Sequence, residues 1–248
     1  MKAIILAAGY ATRLYPLTKD TPKALLPVAG RTILDRLLDG MRAIPEIDHI
    51  HLVTNHRFAP AFEEWRQTAQ VHCPITVHDD GTTSNEDRLG AVGDIAFVLE
   101  RAGIDDDLFV AASDNLFTFP LSDFAADFRR HGRDLLLGTR IDDVDTLRRY
   151  AVAALDGENR VLSLVEKPQE PQSHIGICAI YLYRRDTAPL FSAMIAEYRA
   201  AGKRPDAPGY FAEWLCKRKE VRVYLASGEC VDIGTVESYR EVCTRWTN

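Results

Sequence analysis

Apolar and polar positions set up one rhythm in the first half of the chain and another in the second. Residues 2–7 are apolar without a break after Lys2, short enough to be a strand covered on both faces. Ile33, Leu34, Leu37, Leu38, Met41 and Ile44 recur at helical spacing, and Pro45 is expected to stop that helix. His49–Thr54 reads as the next strand, 60–70 as a helix with Phe62, Trp65 and Ala69 inward, and 75–78 as a third strand. A helix over 90–102, a strand at Leu108–Ala112 and a helix over 121–130 follow. Such βαβα alternation predicts a parallel sheet with helices on both faces and ligands beyond the carboxyl ends of its strands.

Past residue 133 strands dominate: 135–140, Ala151–Leu155, 160–165 and Ile175–Tyr183, with Asp156-Gly157-Glu158-Asn159 as a hairpin turn. Helices return over 186–201, 209–218 and 236–246, around a strand at 221–226. No linker, repeat or low-complexity stretch divides the chain. The expectation is an α/β, Rossmann-like, doubly wound sheet, mixed but mostly parallel, with a small β-rich part. It forms one domain over 1–248, made of halves 1–132 and 133–248.

Composition narrows this further. Hydrophobic residues are 46% and charged residues 27%, which supports a packed core and excludes a disordered chain. No apolar run approaches the roughly 20 residues of a membrane-spanning helix, and no signal-peptide pattern follows the first strand. Five scattered cysteines without a C-x-x-C disfavour a disulfide framework or zinc knuckle and fit a cytoplasmic setting. The net charge of −6 argues against a general nucleic-acid binder, so phosphates would need a few placed cations.

Those cations follow the first strand. Leu6-Ala7-Ala8-Gly9-Tyr10-Ala11-Thr12-Arg13-Leu14 opens with small residues that let backbone N–H groups approach a phosphate chain. Arg13, and Lys23 in Thr21-Pro22-Lys23-Ala24-Leu25-Leu26-Pro27-Val28, supply fixed positive charge. Asp114 follows the fourth strand, where a carboxylate can meet a ligand, and Asp232 precedes a Gly-Thr turn. Two carboxylates with phosphate oxygens and water are a usual Mg²⁺ shell, whereas either alone also suits a cap or turn. Six histidines (49, 51, 56, 72, 78 and 131) lack ligand spacing, and Trp65, Trp214 and Trp246 lie on apolar helix faces.

Residues 6–28 resemble the signature of the sugar-1-phosphate nucleotidylyltransferases, L-A-G/A-G-x-G-T-R-L followed by P-K, in their glucose-1-phosphate thymidylyltransferase-like form. The resemblance continues through Ser113-Asp114-Asn115, Val165-Glu166-Lys167-Pro168 and Val231-Asp232-Ile233-Gly234-Thr235. It implies the GT-A-like nucleotidyltransferase fold, with 1–132 binding nucleotide and 133–248 binding the acceptor. It further implies Arg13 and Lys23 as catalytic cations, and Asp114 and Asp232 as Mg²⁺ ligands. Leu6, Ala8, Gly9, Ala11, Thr12, Asn85, Gly90 and Ser113 would bind nucleotide, and Tyr150, Glu166, Lys167, His174 and Ala179 the acceptor. Asn85 stands five before Gly90, where pyrimidine-using relatives carry an amide that reads the base; a turn asparagine is the plain alternative.

Three glycines of the family pattern are alanines here, Ala11, Ala151 and Ala179, and His174 replaces an asparagine. The expected activity moves a nucleoside monophosphate from a triphosphate to a sugar 1-phosphate, releasing pyrophosphate. The expected partners are a nucleoside triphosphate and a phosphorylated sugar or polyol, without nucleic acid or membrane; a homo-oligomer stays open. A cytidylyltransferase of a polyol, cyclitol or alcohol phosphate or phosphonate, and a non-catalytic nucleotide-binding protein, stand as alternatives. A dinucleotide oxidoreductase fits less well, since the loop lacks G-x-G-x-x-G. The chain ends soon after Trp246, so the β-helical or regulatory extension of longer relatives is not expected.

Overall fold

The computed structural model describes residues 1–204 and 206–246. Strand β1 (Lys2–Leu6) is apolar after Lys2 because helices cover both of its faces. Ala3 and Ile5 enter one core cluster and Ile4 the other, the two-residue alternation of a strand. A short hairpin, β2 (Pro27–Val28) and β3 (Arg31–Thr32), then leads into α1 (Ile33–Met41). Thr32 caps α1 reciprocally: its hydroxyl accepts from the Asp35 N–H, and the Asp35 carboxylate accepts from the Thr32 N–H. Next come β4 (His49–Thr54), α2 (Ala59–Arg66), β5 (Ile75–Asp79), α3 (Ala91–Ala102) and β6 (Leu108–Ala112).

These strands lie in the order β5-β4-β1-β6, all parallel. The chain moves outward from β1 on one side, then returns to β6 on the other. The carboxyl end of β1 is therefore the switch point where such sheets bind ligands.

The second half adds β7 (Asn115–Phe117), α4 (Ser122–His131), β8 (Asp134–Arg140), α5 (Val144–Leu147), β9 (Ala151–Leu155), β10 (Val161–Glu166) and β11 (Ile175–Tyr183). It ends with α6 (Leu190–Ala200), α7 (Pro208–Cys216), β12 (Val221–Leu225), β13 (Cys230–Asp232) and α8 (Val236–Arg245). Strand β11 runs antiparallel to β6 and carries the sheet across the midpoint of the chain. Beyond it lie antiparallel β8 and then β12, parallel to β8. The first residues of β11 also pair with β9, whose hairpin with β10 forms the β-rich part. The architecture is the expected α/β one, with a mixed central sheet between helical layers.

Some boundaries differ from the periodicity. Helices α1 and α2 stop earlier because their last turns tighten: Ala43 and Ile44 donate three residues back to Gly40 and Met41, as Gln67 and Thr68 do to Glu64 and Trp65. The helix expected over 186–201 begins only at Leu190, since Pro189 has no N–H to continue it. Thr187, ahead of that proline, is buried and donates to the Asp134 carboxylate at 2.9 Å. Four short elements, β2, β3, α5 and β7, have no counterpart in the periodicity. Strand β7 pairs with β13 in a separate two-stranded sheet, Asn115 opposite Asp232. Among the described residues no helix is long and apolar enough to cross a membrane.

Candidate active site

Two adjoining cavities open at the carboxyl end of β1, and Leu6, Ala91 and Ala207 line both. The first, about 450 Å³, is walled by the loop after β1 and by the approach to α3. That loop is held from behind. Thr54, Asn55 and Thr18 side chains donate to the carbonyls of Ala7, Ala8 and Ala11 at 3.3, 2.9 and 2.8 Å. With the carbonyls engaged, the N–H groups of Ala8 to Ala11 have no acceptor among the described residues. A row of free N–H groups beside a cavity suits an anionic chain. Ala11 takes φ 47, the left-handed conformation that favours glycine, which explains why the related pattern has glycine there. Arg13 lines this cavity and makes no ion pair among the described residues.

The β7–β13 sheet sets the next part of the site. It carries Asp114 and Asp232 toward one another, and Lys23 reaches between them. Lys23 Nζ lies 2.6 Å from Asp114 Oδ2 and 3.5 Å from Asp232 Oδ1. Burial works against the charge on Lys23, but the two carboxylates outweigh it and raise its pKa above the ordinary lysine value. Burial, then the Asp114 charge, push the Asp232 carboxyl above the usual carboxylate range, while Lys23 and Arg13 pull it back. Two carboxylates that repel each other across one cation are the donor set a divalent ion favours.

The second cavity, about 240 Å³, lies between this clamp and the β9–β10 hairpin. Tyr150, Glu166, Lys167 and Ala179 line it with Asp114 and Asp232. The Glu166 side chain is 5% exposed, and burial raises its pKa against the pull of Lys167, whose Nζ is 3.7 Å from Glu166 Oε1. Burial also pushes the Tyr150 phenol up. Lys167 has φ 48, and its N–H donates to the Tyr150 carbonyl at 3.0 Å. A non-glycine residue in that conformation is costly, and such strain gathers at functional sites.

The expected residues are thus largely brought together. Leu6, Ala8, Gly9, Ala11, Thr12, Arg13, Asn85 and Gly90 share the first cavity, the other expected residues sit around the second, and Lys23 spans the clamp. Two fall outside. Ser113 is buried at the end of β6 with its N–H bonded to the Leu6 carbonyl, in neither lining. His174 is a correction: its Nδ1 lies 3.1 Å from the Ile141 carbonyl, and its half-exposed ring lines neither cavity.

Sequence reasoning missed four residues. Arg149, one position before Tyr150, lines the second cavity with its side chain unpaired among the described residues. Arg88 and Asp94 line the first, with Arg88 bonded to the Asn85 carbonyl and to Asp206. Gly209 matters for space: a Cβ there would meet Glu166 Oε2 at 1.8 Å. Only Arg149 had a local signal, its neighbour Tyr150.

Residues 2–248 match the model of the nucleotidyl transferase family, and the chain belongs to that family. A glucose-1-phosphate thymidylyltransferase from Streptomyces griseus is 27% identical over 244 residues, covering 98% of this chain and 65% of that one. A UTP–glucose-1-phosphate uridylyltransferase from Haloferax volcanii is 28% identical over 197 residues, covering 74% and 72%. The fold matches that of a UDP-glucose pyrophosphorylase solved with UDP-glucose, at a TM-score of 0.83, 19% identity, and coverage of 98% and 97%. The chain spans about half to two thirds of the length of the first relatives it matches.

Proposed function

We propose that this protein transfers a nucleoside monophosphate from a nucleoside triphosphate to a sugar phosphate, forming a nucleoside-diphosphate sugar and pyrophosphate. The observation that carries the reading is the Lys23–Asp114–Asp232 clamp at the junction of the two cavities. The free N–H groups of the loop would cradle the triphosphate, with Arg13 over the departing pyrophosphate. Lys167 would hold the acceptor phosphate, and Glu166 would accept from hydroxyls of the sugar. An acceptor phosphate oxygen attacks the α-phosphorus, and the bond from that phosphorus to the bridging oxygen breaks, releasing pyrophosphate. No general base is required, because a phosphate monoester is already ionised near neutral pH. Catalysis is then positioning and neutralisation of charge.

Mg²⁺ fits the clamp, since two converging carboxylates with substrate phosphates match its usual shell. Among the described residues no third acidic, histidine or cysteine ligand joins them, so substrate and water would complete the shell. The ion would supply charge neutralisation at the phosphates. Asp114 and Asp232 would hold it, leaving Lys23 free to turn toward the α-phosphate.

Ala151 and Ala179, which both line the second cavity, support an acceptor other than glucose 1-phosphate. Each replaces a glycine of the related pattern. Pyrophosphate release measured over a panel of triphosphates and sugar, polyol and cyclitol phosphates tests the whole reading. Turnover that chelator abolishes is expected for one pair, with a preferred acceptor other than glucose 1-phosphate. Silence across the panel would overturn the activity; an unqualified preference for glucose 1-phosphate would overturn the acceptor assignment.

A further inference from the structure

Asp94 stands on α3 at positions spaced for burial, one turn after Ala91 and beside Ile95 and Val98, and it is only 5% exposed. A carboxyl in that place is costly to bury unless something engages it. Across from it, at the end of β5, lies Asp80. Asp80 Oδ1 accepts from the Thr82 N–H and hydroxyl, both at 2.7 Å. Its other oxygen, Oδ2, and Asp94 Oδ1 are both buried without any other hydrogen-bond partner.

The two carboxyls neighbour each other, and one proton shared between them would satisfy both orphaned oxygens. Burial first, and then the Asp80 charge, hold the Asp94 carboxyl well above the usual carboxylate range, in the direction that favours keeping that proton. With that proton committed to the bridge, Asp94 Oδ2 can only accept. It has no donor among the described residues, and Asp94 lines the first cavity together with Asn85 and Gly90.

We propose that Asp94 selects the nucleobase, favouring a triphosphate whose base carries an exocyclic amino group over UTP and dTTP. The inference rests on the first cavity being the nucleotide site. An acceptor fixed in a buried wall pairs with an amino N–H of cytosine, guanine or adenine. Uracil presents a carbonyl at the position of the cytosine amine, so two acceptors would oppose one another. The resulting preference is roughly ten- to hundredfold. Asn85, which can turn either face of its amide to a base, then adjusts to the choice that Asp94 makes.

Calorimetric affinities of CTP, GTP, ATP, UTP and dTTP test this, for the wild type and for Asp94→Ala. In the wild type, at least one amino-bearing triphosphate should bind about tenfold or more tightly than UTP and dTTP. In Asp94→Ala the ratio of amino-bearing triphosphate to UTP affinity should collapse toward one. If the variant does not fold, two wild-type pairs suffice, CTP against UTP and GTP against inosine triphosphate, each differing at the amino position. UTP or dTTP binding as tightly as every amino-bearing base would overturn the proposal, as would an unchanged ratio in the variant. Binding of no triphosphate at all would instead remove the functional reading beneath it.

Discussion

The two cavities are built from different materials. The first takes its anion-facing wall from one unbroken stretch, Ala8 to Arg13, and presents backbone N–H groups whose direction depends on three side chains gripping the carbonyls behind. The second gathers side chains from β7, β9, β10, β11, α7 and β13, elements scattered along the second half of the chain. A wall of backbone tolerates changes of side chain, provided the chain can adopt the required angles. A wall of side chains is sensitive to single methyl groups. The wall on one side of the clamp is thus robust and that on the other fragile.

The clamp between them offers the sharpest way to break this contrast, because both cavities depend on it. Asp232→Asn should lower kcat by about 10²- to 10³-fold, the scale of losing one electrostatic contact to a developing charge. The protein should stay folded, as judged by an unchanged circular dichroism spectrum. Activity near wild type would place the reacting atoms elsewhere.

Gly209→Ala should show the fragility of the second cavity. The new Cβ would collide with the buried Glu166 carboxylate at 1.8 Å. The acceptor KM is expected to rise about tenfold or more, with triphosphate affinity intact, because the methyl displaces the Glu166 carboxylate, which lines the second cavity and not the first. Equal damage to both substrates, measured by steady-state kinetics and calorimetry, would show that the cavities are not separable.

A third test concerns neither cavity but the strands beneath the first. His51 Nδ1 lies 2.9 Å from His78 Nε2 between β4 and β5, both rings buried. Burial first, then His49, His78 and Lys2, depress the His51 pKa to about 4. The unfolded chain therefore binds more protons than the folded one between the ordinary value of 6.5 and about 4. Stability from this pair is complete above pH 6.5 and is lost as pH falls through that window. The melting temperature should fall between pH 7 and pH 5 in the wild type and fall less in His51→Phe. Parallel curves for the two proteins would remove the pair from the account.

The smallest effect is at Ala11. Replacing it with glycine relieves the cost of φ 47 but adds freedom to the unfolded chain, for a net gain of about 0.5–1 kcal/mol. Denaturant unfolding measures it directly. A loss of stability would mean that the methyl packs usefully, against the backbone argument for the first cavity.

How much of this could be read beforehand follows the same divide. The alternation of elements, the loop after β1 and the strand-end position of Asp114 are local patterns, and local patterns survive in a sequence. The β7–β13 pairing is not local: three-residue strands carry too little periodicity to announce a partner. The Asp80–Asp94 pair and the fit of Gly209 against Glu166 arise only once distant segments meet. His174 shows the converse hazard. Its place in a familiar motif pointed into the second cavity, but the residue precedes β11 and bonds across to Ile141 beside β8, so its ring stays outside.

Lys23 and Asp232, which meet at the clamp, stand 209 positions apart along the chain. During synthesis the ribosome therefore delivers the loop after β1 long before it delivers the carboxylate that completes the clamp. Contacts of such high sequence separation form late and slowly, because the loop they close must first lose its entropy. A nascent chain that has emerged only as far as α6 would hold the loop and α3, yet lack the second carboxylate of the clamp. Completion of the clamp waits on the arrival of β13, as a property of topology rather than of any regulator.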